Sequence, residues 1–200
     1  MHPVAAALPS DLTAPSYLWT ADEVRGRPSP VPAEPGVYAW YFASAPADVP
    51  TVACHRGSGG TLLYVGISPK PPPRGGGRVS RQNLRRRIRY HYRGNAAGST
   101  LRLTLGCLLA SELGIELRRV GSGERLTFAA GEQALSQWMA ANARVCWHVT
   151  PEPWIIESAL IDQLTLPLNL DQNSASSFHA QLSERRAYHR ARARMLPVVT

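Results

Sequence analysis

A carboxylate set in an apolar helix face is the first residue of this chain whose position asks for a chemical reason. On a helix drawn from Pro153 to Leu164, residues Trp154, Leu160, Ile161 and Leu164 all fall within about 60° of Glu157, which puts the acid at the centre of the apolar stripe. An ionised carboxylate there is costly unless a cation or a hydrogen-bond donor compensates it. Two compensations are open: an ion pair with one of the chain's many arginines, or a metal ion held in a cleft. Farther up the chain, Arg87 and His91 stand four residues apart beside Leu84 and Ile88, so their side chains share one helical face and could reach one phosphate. The arginines crowd here (Arg81, Arg85, Arg86, Arg87 and Arg89), so each taken singly reads equally as a solvated charge. A guanidinium and an imidazole on a phosphate, with a carboxylate on a metal, would be phosphoryl chemistry.

Those residues need elements to hold them. Val37 to Phe42 and Leu62 to Ile67 are β-branched and aromatic runs with Gly57, Gly59 and Gly60 between them, the pattern of an antiparallel hairpin with a long connection. Val145 to Val149 is a third strand. Pro69 to Arg78 is too rich in proline and glycine for helix or paired strand and reads as a basic loop. Ser80 offers an N-cap to a helix over Asn83 to Arg93, which Gly94-Asn95 ends. Leu101 to Leu113 and Glu132 to Asn142 are two more helices, with a small hairpin between them made of Ile115 to Val120 and Arg125 to Phe128. The Glu157 helix is stopped by Pro167. Ser183 to Met195 has an acid in its first turn and arginine or histidine along its length, the pattern of a basic, solvent-facing helix. Residues 1–35 hold seven prolines and little periodicity, so they read as an irregular lead-in with one short helical turn near Ala21 to Val24.

Two hundred residues with 44% hydrophobic content suit one domain with an insertion. A chain of this size buries about 70% of its unfolded surface and needs no staples to fold. The odd, widely spaced Cys54, Cys107 and Cys146 argue against a disulfide framework or a cysteine-built zinc site and fit a reducing cytoplasm. No apolar run is long enough to span a membrane, and no secretion signal is expected. The formal charge is +8, and 21 of the 22 cations are arginine, with Lys70 the only lysine. A GC-rich coding sequence would give that ratio too. The distribution is more telling: between Asp48 and Glu112 there is no acid, while eleven positive charges lie in the 63 intervening residues. A one-signed field of that kind points to a polyanionic partner.

Taken in chain order, Gly36-Val37-Tyr38, Tyr64-Val65-Gly66, a helix with Arg87 and His91, a helix with Glu157, and Pro167-Leu168-Asn169 resemble the GIY-YIG endonuclease superfamily. Each short motif occurs in many chains, but five in this order on these elements are specific. The Arg-x-x-x-His pair and the step from Glu157 to Asn169 look most like the restriction-endonuclease branch. Asn173 to His179 and the arginine-rich helix after it look like a bacterial, stand-alone form. The resemblance implies an α+β fold, a small three-stranded antiparallel sheet flanked by helices, with a helical and hairpin insertion and a basic C-terminal helix. On that reading residues 1–35 are the lead-in, 36–170 the nuclease domain with its insertion at about 94–147, and 171–200 the C-terminal helix.

The resemblance also implies roles. Glu157 would anchor one divalent cation, Mg²⁺ or Mn²⁺, which keeps most of its waters and so needs only one protein carboxylate. Arg87 would bind the non-bridging oxygens and offset charge developing in the transition state. Tyr38 is the first choice to take the water's proton, a phenol that nearby cations would have to acidify; Tyr64, His91 and Lys70 are alternatives. His91 would be hydrogen-bonded to the reacting tyrosine or the water, and Asn169 would orient the site from behind. Gly36 and Gly66 would let strands approach closely or serve as plain turn glycines. For DNA contact the candidates are Lys70, Arg74, Arg78, Arg81, Arg85, Arg86 and Arg89, together with Arg185, Arg186, Arg190, Arg192 and Arg194 of the last helix. The expected reaction is cleavage of DNA, with a homodimer left open. A catalytically inactive nucleic-acid-binding module of the same fold is the alternative, and a ribosome-associated RNA binder would leave Glu157 unexplained.

Overall fold

In a computed structural model of the protein, residues 7–73, 75 and 80–199 are described. The elements in chain order are α1 (Ser10–Thr13), α2 (Ala21–Arg25), β1 (Gly36–Phe42), β2 (Arg56–Gly57), β3 (Gly60–Ser68), α3 (Leu84–Arg93), α4 (Thr100–Leu108), α5 (Ala110–Leu113), β4 (Arg118–Val120), β5 (Arg125–Thr127), α6 (Gly131–Asn142), β6 (Ala143–Val149), α7 (Pro153–Gln163) and α8 (His179–Met195).

The main sheet runs β2-β3-β1-β6, and every neighbouring pair is antiparallel. It has four strands where three were expected, because Arg56–Gly57 folds back to pair with Thr61 and Gly60 at the tip of the hairpin. Gly60 makes that turn at φ +128°, where a Cβ would lie 2.2 Å from the Phe42 carbonyl oxygen. The central strand β1 is buried along its whole length, so both of its faces must be covered. Tyr38, Trp40 and Phe42 point into one core with Leu84, Ile88 and Tyr92 of α3. Val37, Ala39 and Tyr41 point into the other with Leu160 and Ile161 of α7 and Leu12 of α1. The period of two in the sequence thus sorts alternate residues onto two helical layers.

Several boundaries differ from the sequence pattern for identifiable reasons. The N-cap of α3 is Asn83, whose side chain accepts from Arg86 N–H, not Ser80. The helix expected from Leu101 to Leu113 divides at Leu109 into α4 and α5. The lead-in does hold a short helix at the expected place, α2, closed by a Thr20/Glu23 capping box. It is, however, built into the core: Leu12, Val24 and Val31 are fully buried, and Trp19 exchanges backbone hydrogen bonds with Val145 on the outer edge of β6. Helix α8 is not simply solvent-facing. It begins at His179, packs on α4 and buries Leu182, Arg186 and Ala193.

In the insertion, Arg102 is fully buried and fully bonded: Nε and Nη2 donate to the Glu132 carboxylate, and Nη1 to the His91 and Tyr92 carbonyls. That one guanidinium ties α4 and α6 to the end of α3. Cys54, Cys107 and Cys146 are free and buried, and burial pushes the thiols of Cys107 and Cys146 up to about 12.

Candidate active site

The cleft forms where the outer edge of β3 is left open. β2 pairs only with the start of β3, and farther along, the segment after α7 takes its place. Leu168 N–H donates to Leu63 O, and the Asn169 side chain acts as a surrogate strand residue: Oδ1 accepts from Val65 N–H at 2.9 Å and Nδ2 donates to Val65 O at 2.9 Å. Asn173 locks this turn by donating to the Leu166 and Asn169 carbonyls. The hollow that results, about 250 Å³, is lined by Tyr38, Tyr64, Lys70, Glu157, Asn169 and Arg186, among others.

Tyr38 is directly opposite Gly66 in the register of β1 and β3. A Cβ on Gly66 would lie 2.6 Å from the Tyr38 hydroxyl and 2.8 Å from Cζ, so this glycine exists to make room for the tyrosine ring. Gly36 answers a different constraint, since a Cβ there would lie 2.3 Å from the His148 carbonyl oxygen on the neighbouring strand. Neither glycine is a plain turn residue.

Arg87 and His91 share the face of α3 turned to β1, and both meet the Tyr38 hydroxyl: His91 Nε2 at 2.8 Å and Arg87 Nε, which donates, at 3.3 Å. Arg87 Nη1 donates to Gly98 O. His91 Nδ1 is 2.7 Å from Ser99 Oγ, which also accepts from Arg102 N–H at the cap of α4. Ser99 has no signature of its own in the sequence beyond a residue suited to a helix cap, which is why its contact with His91 was not anticipated. Burial, with the charges of Arg87 and Arg102 added, holds the His91 imidazole well below its ordinary value, so the ring is neutral at physiological pH. Burial raises the Tyr38 phenol, and the charge and hydrogen bond of Arg87 offset only part of that. Arg87 thus acts in the acidifying direction, but burial outweighs it and favours the protonated hydroxyl. Burial raises the Tyr64 phenol as well, and Tyr64 bonds to Thr100.

Glu157 faces the same hollow from α7. The buried residues of that helix are Pro153, Leu160 and Ile161, which flank Glu157 on both sides, and the acid itself is half-buried among them. Burial pushes its carboxyl up to about 7, with Lys70 lowering and Asp171 raising it. Among the described residues no ion pair with arginine answers it. No group of three metal-ligating side chains occurs among those residues either. An ionised Glu157 thus wants a cation that a single carboxylate can hold, which suits a hard divalent ion that keeps its waters.

The arginines around the site divide by what they touch. Arg81 and Arg86 are exposed. Arg85 Nε donates to Val31 O, and Arg89 donates to the Val24, Arg25 and Gly26 carbonyls, so these two strap the lead-in to α3. Lys70 is exposed at the rim of the cleft. Arg74 and Arg78 lie outside the described residues. Arg186 was expected on an outer helix face and instead reaches the cleft; its spacing from Leu182 and Ala193, four and seven residues, places it on the inner stripe of α8 and was the available signal.

A family model described as the GIY-YIG catalytic domain matches residues 36–188. No curated protein and no solved structure matches the chain. The matched stretch runs past Asn169 into α8 and takes in the whole sheet and both helices that carry Arg87 and Glu157. It covers well over half the sequence, and the chain belongs to the GIY-YIG family of nucleases.

Proposed function

We propose that the protein is a divalent-cation-dependent endonuclease that hydrolyses DNA phosphodiester bonds. The observation that carries this reading is the Tyr38 hydroxyl, held between neutral His91 and cationic Arg87 and opening onto the same cleft as Glu157.

Tyr38 Oη accepts from Arg87 Nε, which leaves its own O–H for His91 Nε2; Nδ1–H then donates to Ser99 Oγ. Attack by water on phosphorus forms the new O–P bond as the leaving oxygen departs. The water's proton passes to Tyr38 and the Tyr38 proton to His91, so no free phenolate has to form in the buried site. The leaving oxygen takes a proton from solvent. Protonating His91 beside Arg87 and Arg102 is unfavourable in the free protein, and the charge of a bound phosphate is what offsets it. The remaining Arg87 nitrogen, Nη2, carries no bond among the described residues and would take a non-bridging oxygen. Glu157 would hold Mg²⁺ or Mn²⁺, which when bound supplies Lewis-acid polarisation of the phosphoryl group. Asn169 acts from behind, by fixing the β3 edge. The His91–Tyr38 contact supports the restriction-type likeness of the Arg-x-x-x-His pair.

Supercoiled plasmid incubated with purified protein and Mg²⁺ is expected to be nicked and linearised, and EDTA, Glu157→Gln and Tyr38→Phe are each expected to stop it. DNA binding without turnover under all conditions would favour the inactive module instead.

A further inference from the structure

The chain buries two arginines in contrasting ways. Arg102, fully enclosed, spends its donors on one carboxylate and three carbonyls. Arg186 is only 8% exposed, yet among the described residues it makes no hydrogen bond and no ion pair, and its Nε is shut off from solvent without a partner. The other cations of α8 are treated differently again: Arg185 pairs with Asp48 and Arg192 with Glu116, both at the surface. A buried guanidinium with unmet donors is expensive, and a fold that satisfies Arg102 so completely has the means to avoid it.

The cost is localised at the wall of the cleft. Arg186 lines it together with Tyr64, Glu157, Asp171 and, from α4, Thr100 and Thr104. Asp171, across the hollow, is not within ion-pair distance of it. Burial and the neighbouring charge of Arg190 push the guanidinium down from its ordinary value, as expected for a cation whose counterion is missing. Arg186 lines the cleft directly from α8, whereas Arg87 on α3 is linked to it through the Tyr38 hydroxyl that it bonds.

We infer that Arg186 is a substrate-binding residue, a second guanidinium that grips a DNA phosphate inside the cleft and completes its unmet donors when the strand is bound. The inference rests on the nuclease reading for the identity of the anion, but its test does not depend on turnover. A planar fork of N–H donors fits phosphate oxygens in pairs, which a surface lysine would not reproduce.

The experiment is equilibrium binding of a short duplex to the full chain in EDTA, across a range of salt, for wild type, Arg186→Met and Arg186→Gln. Both variants are expected to bind on the order of ten-fold more weakly at fixed salt, with the slope of log K against log salt reduced by about one phosphate's worth. Their thermal midpoints without DNA are expected to match or exceed wild type, because an unpaired buried charge has been removed. Wild-type affinity and slope in either folded variant would overturn the inference. A fall in thermal midpoint with unchanged binding would also overturn it, by making Arg186 a packing residue. Should Arg186→Met fail to fold, Arg186→Gln carries the test alone, since its amide keeps a polar group on the cleft wall. If wild type binds but does not cleave with Mg²⁺, the nuclease reading fails while the loss of binding at Arg186 still stands; if wild type cleaves and the variants bind normally, only the Arg186 inference fails.

Discussion

Glu157 and Tyr38 face one hollow, and burial favours the protonated form of both. Because burial raises the Glu157 carboxyl to about 7 in the folded chain, the fold prefers its protonated form. The sign follows: folding is favoured through this group below its unfolded value, and the contribution is lost as pH rises through about 7. Glu157→Gln is therefore expected to melt above wild type at pH 8, with the gap closing as pH falls toward 4.5, measured by thermal unfolding without metal. Added Mg²⁺ should raise the wild-type midpoint more at pH 8 than at pH 6, since the cation must displace a proton at the lower pH, and should leave the Gln variant unmoved. At Gly66 the expectation is steric: alanine would drive its Cβ into the Tyr38 ring and lift the hydroxyl off His91. Gly66→Ala is expected to lose on the order of 10²-fold in single-turnover rate while binding DNA normally, as displacements of about 1 Å do at reacting centres. Glu157 was legible in the sequence because a charge in an apolar stripe breaks a pattern. Arg186 breaks the same pattern on α8, but there the surrounding arginines masked it. Ser99 was illegible, because its contact with His91 exists only once α3 and α4 are packed.

At the scale of elements, strands β1, β3 and β6 and helices α3, α6 and α7 could be read from the sequence since each carries its own apolar pattern. What could not be read is structure supplied from elsewhere in the chain. β2 is too short to have a pattern, and the proline-rich lead-in owes part of its order to donors on α3 that its own residues do not announce. This gives two arginines of one helix different expected phenotypes. Arg89→Ala abandons three backbone carbonyls and is expected to cost about 1–3 kcal/mol in denaturant unfolding. Arg86, exposed and making no side-chain hydrogen bond among the described residues, should change stability by less than about 0.5 kcal/mol on replacement with alanine and weaken DNA binding instead. Equal stability losses at the two positions would show that the lead-in is not strapped by Arg89.

Across the whole molecule, the +8 charge is gathered rather than spread. Beyond the cleft, Arg25 and Arg27 of the lead-in join Arg86, Arg89 and Arg93 of α3 around an open hollow, a second basic concavity that composition alone could not place. Each phosphate neutralised contributes about −0.9 to the slope of log K against log salt for duplex DNA, so affinity is expected to fall steeply with salt, and the pair Arg86→Ala with Arg93→Ala should flatten the slope by up to about two. An unchanged slope would remove this hollow from the binding face. The three enclosed cysteines have a use of a different kind. Cys54 lies between β1 and β2, Cys107 in α4 and Cys146 in β6, and a thiol that is both shielded and reluctant to ionise reacts with an alkylating reagent only when its surroundings open. Each is thus a natural clock for one layer, and the order in which they are alkylated under mild denaturation would reveal whether the hairpin connection, the insertion or the sheet comes apart first.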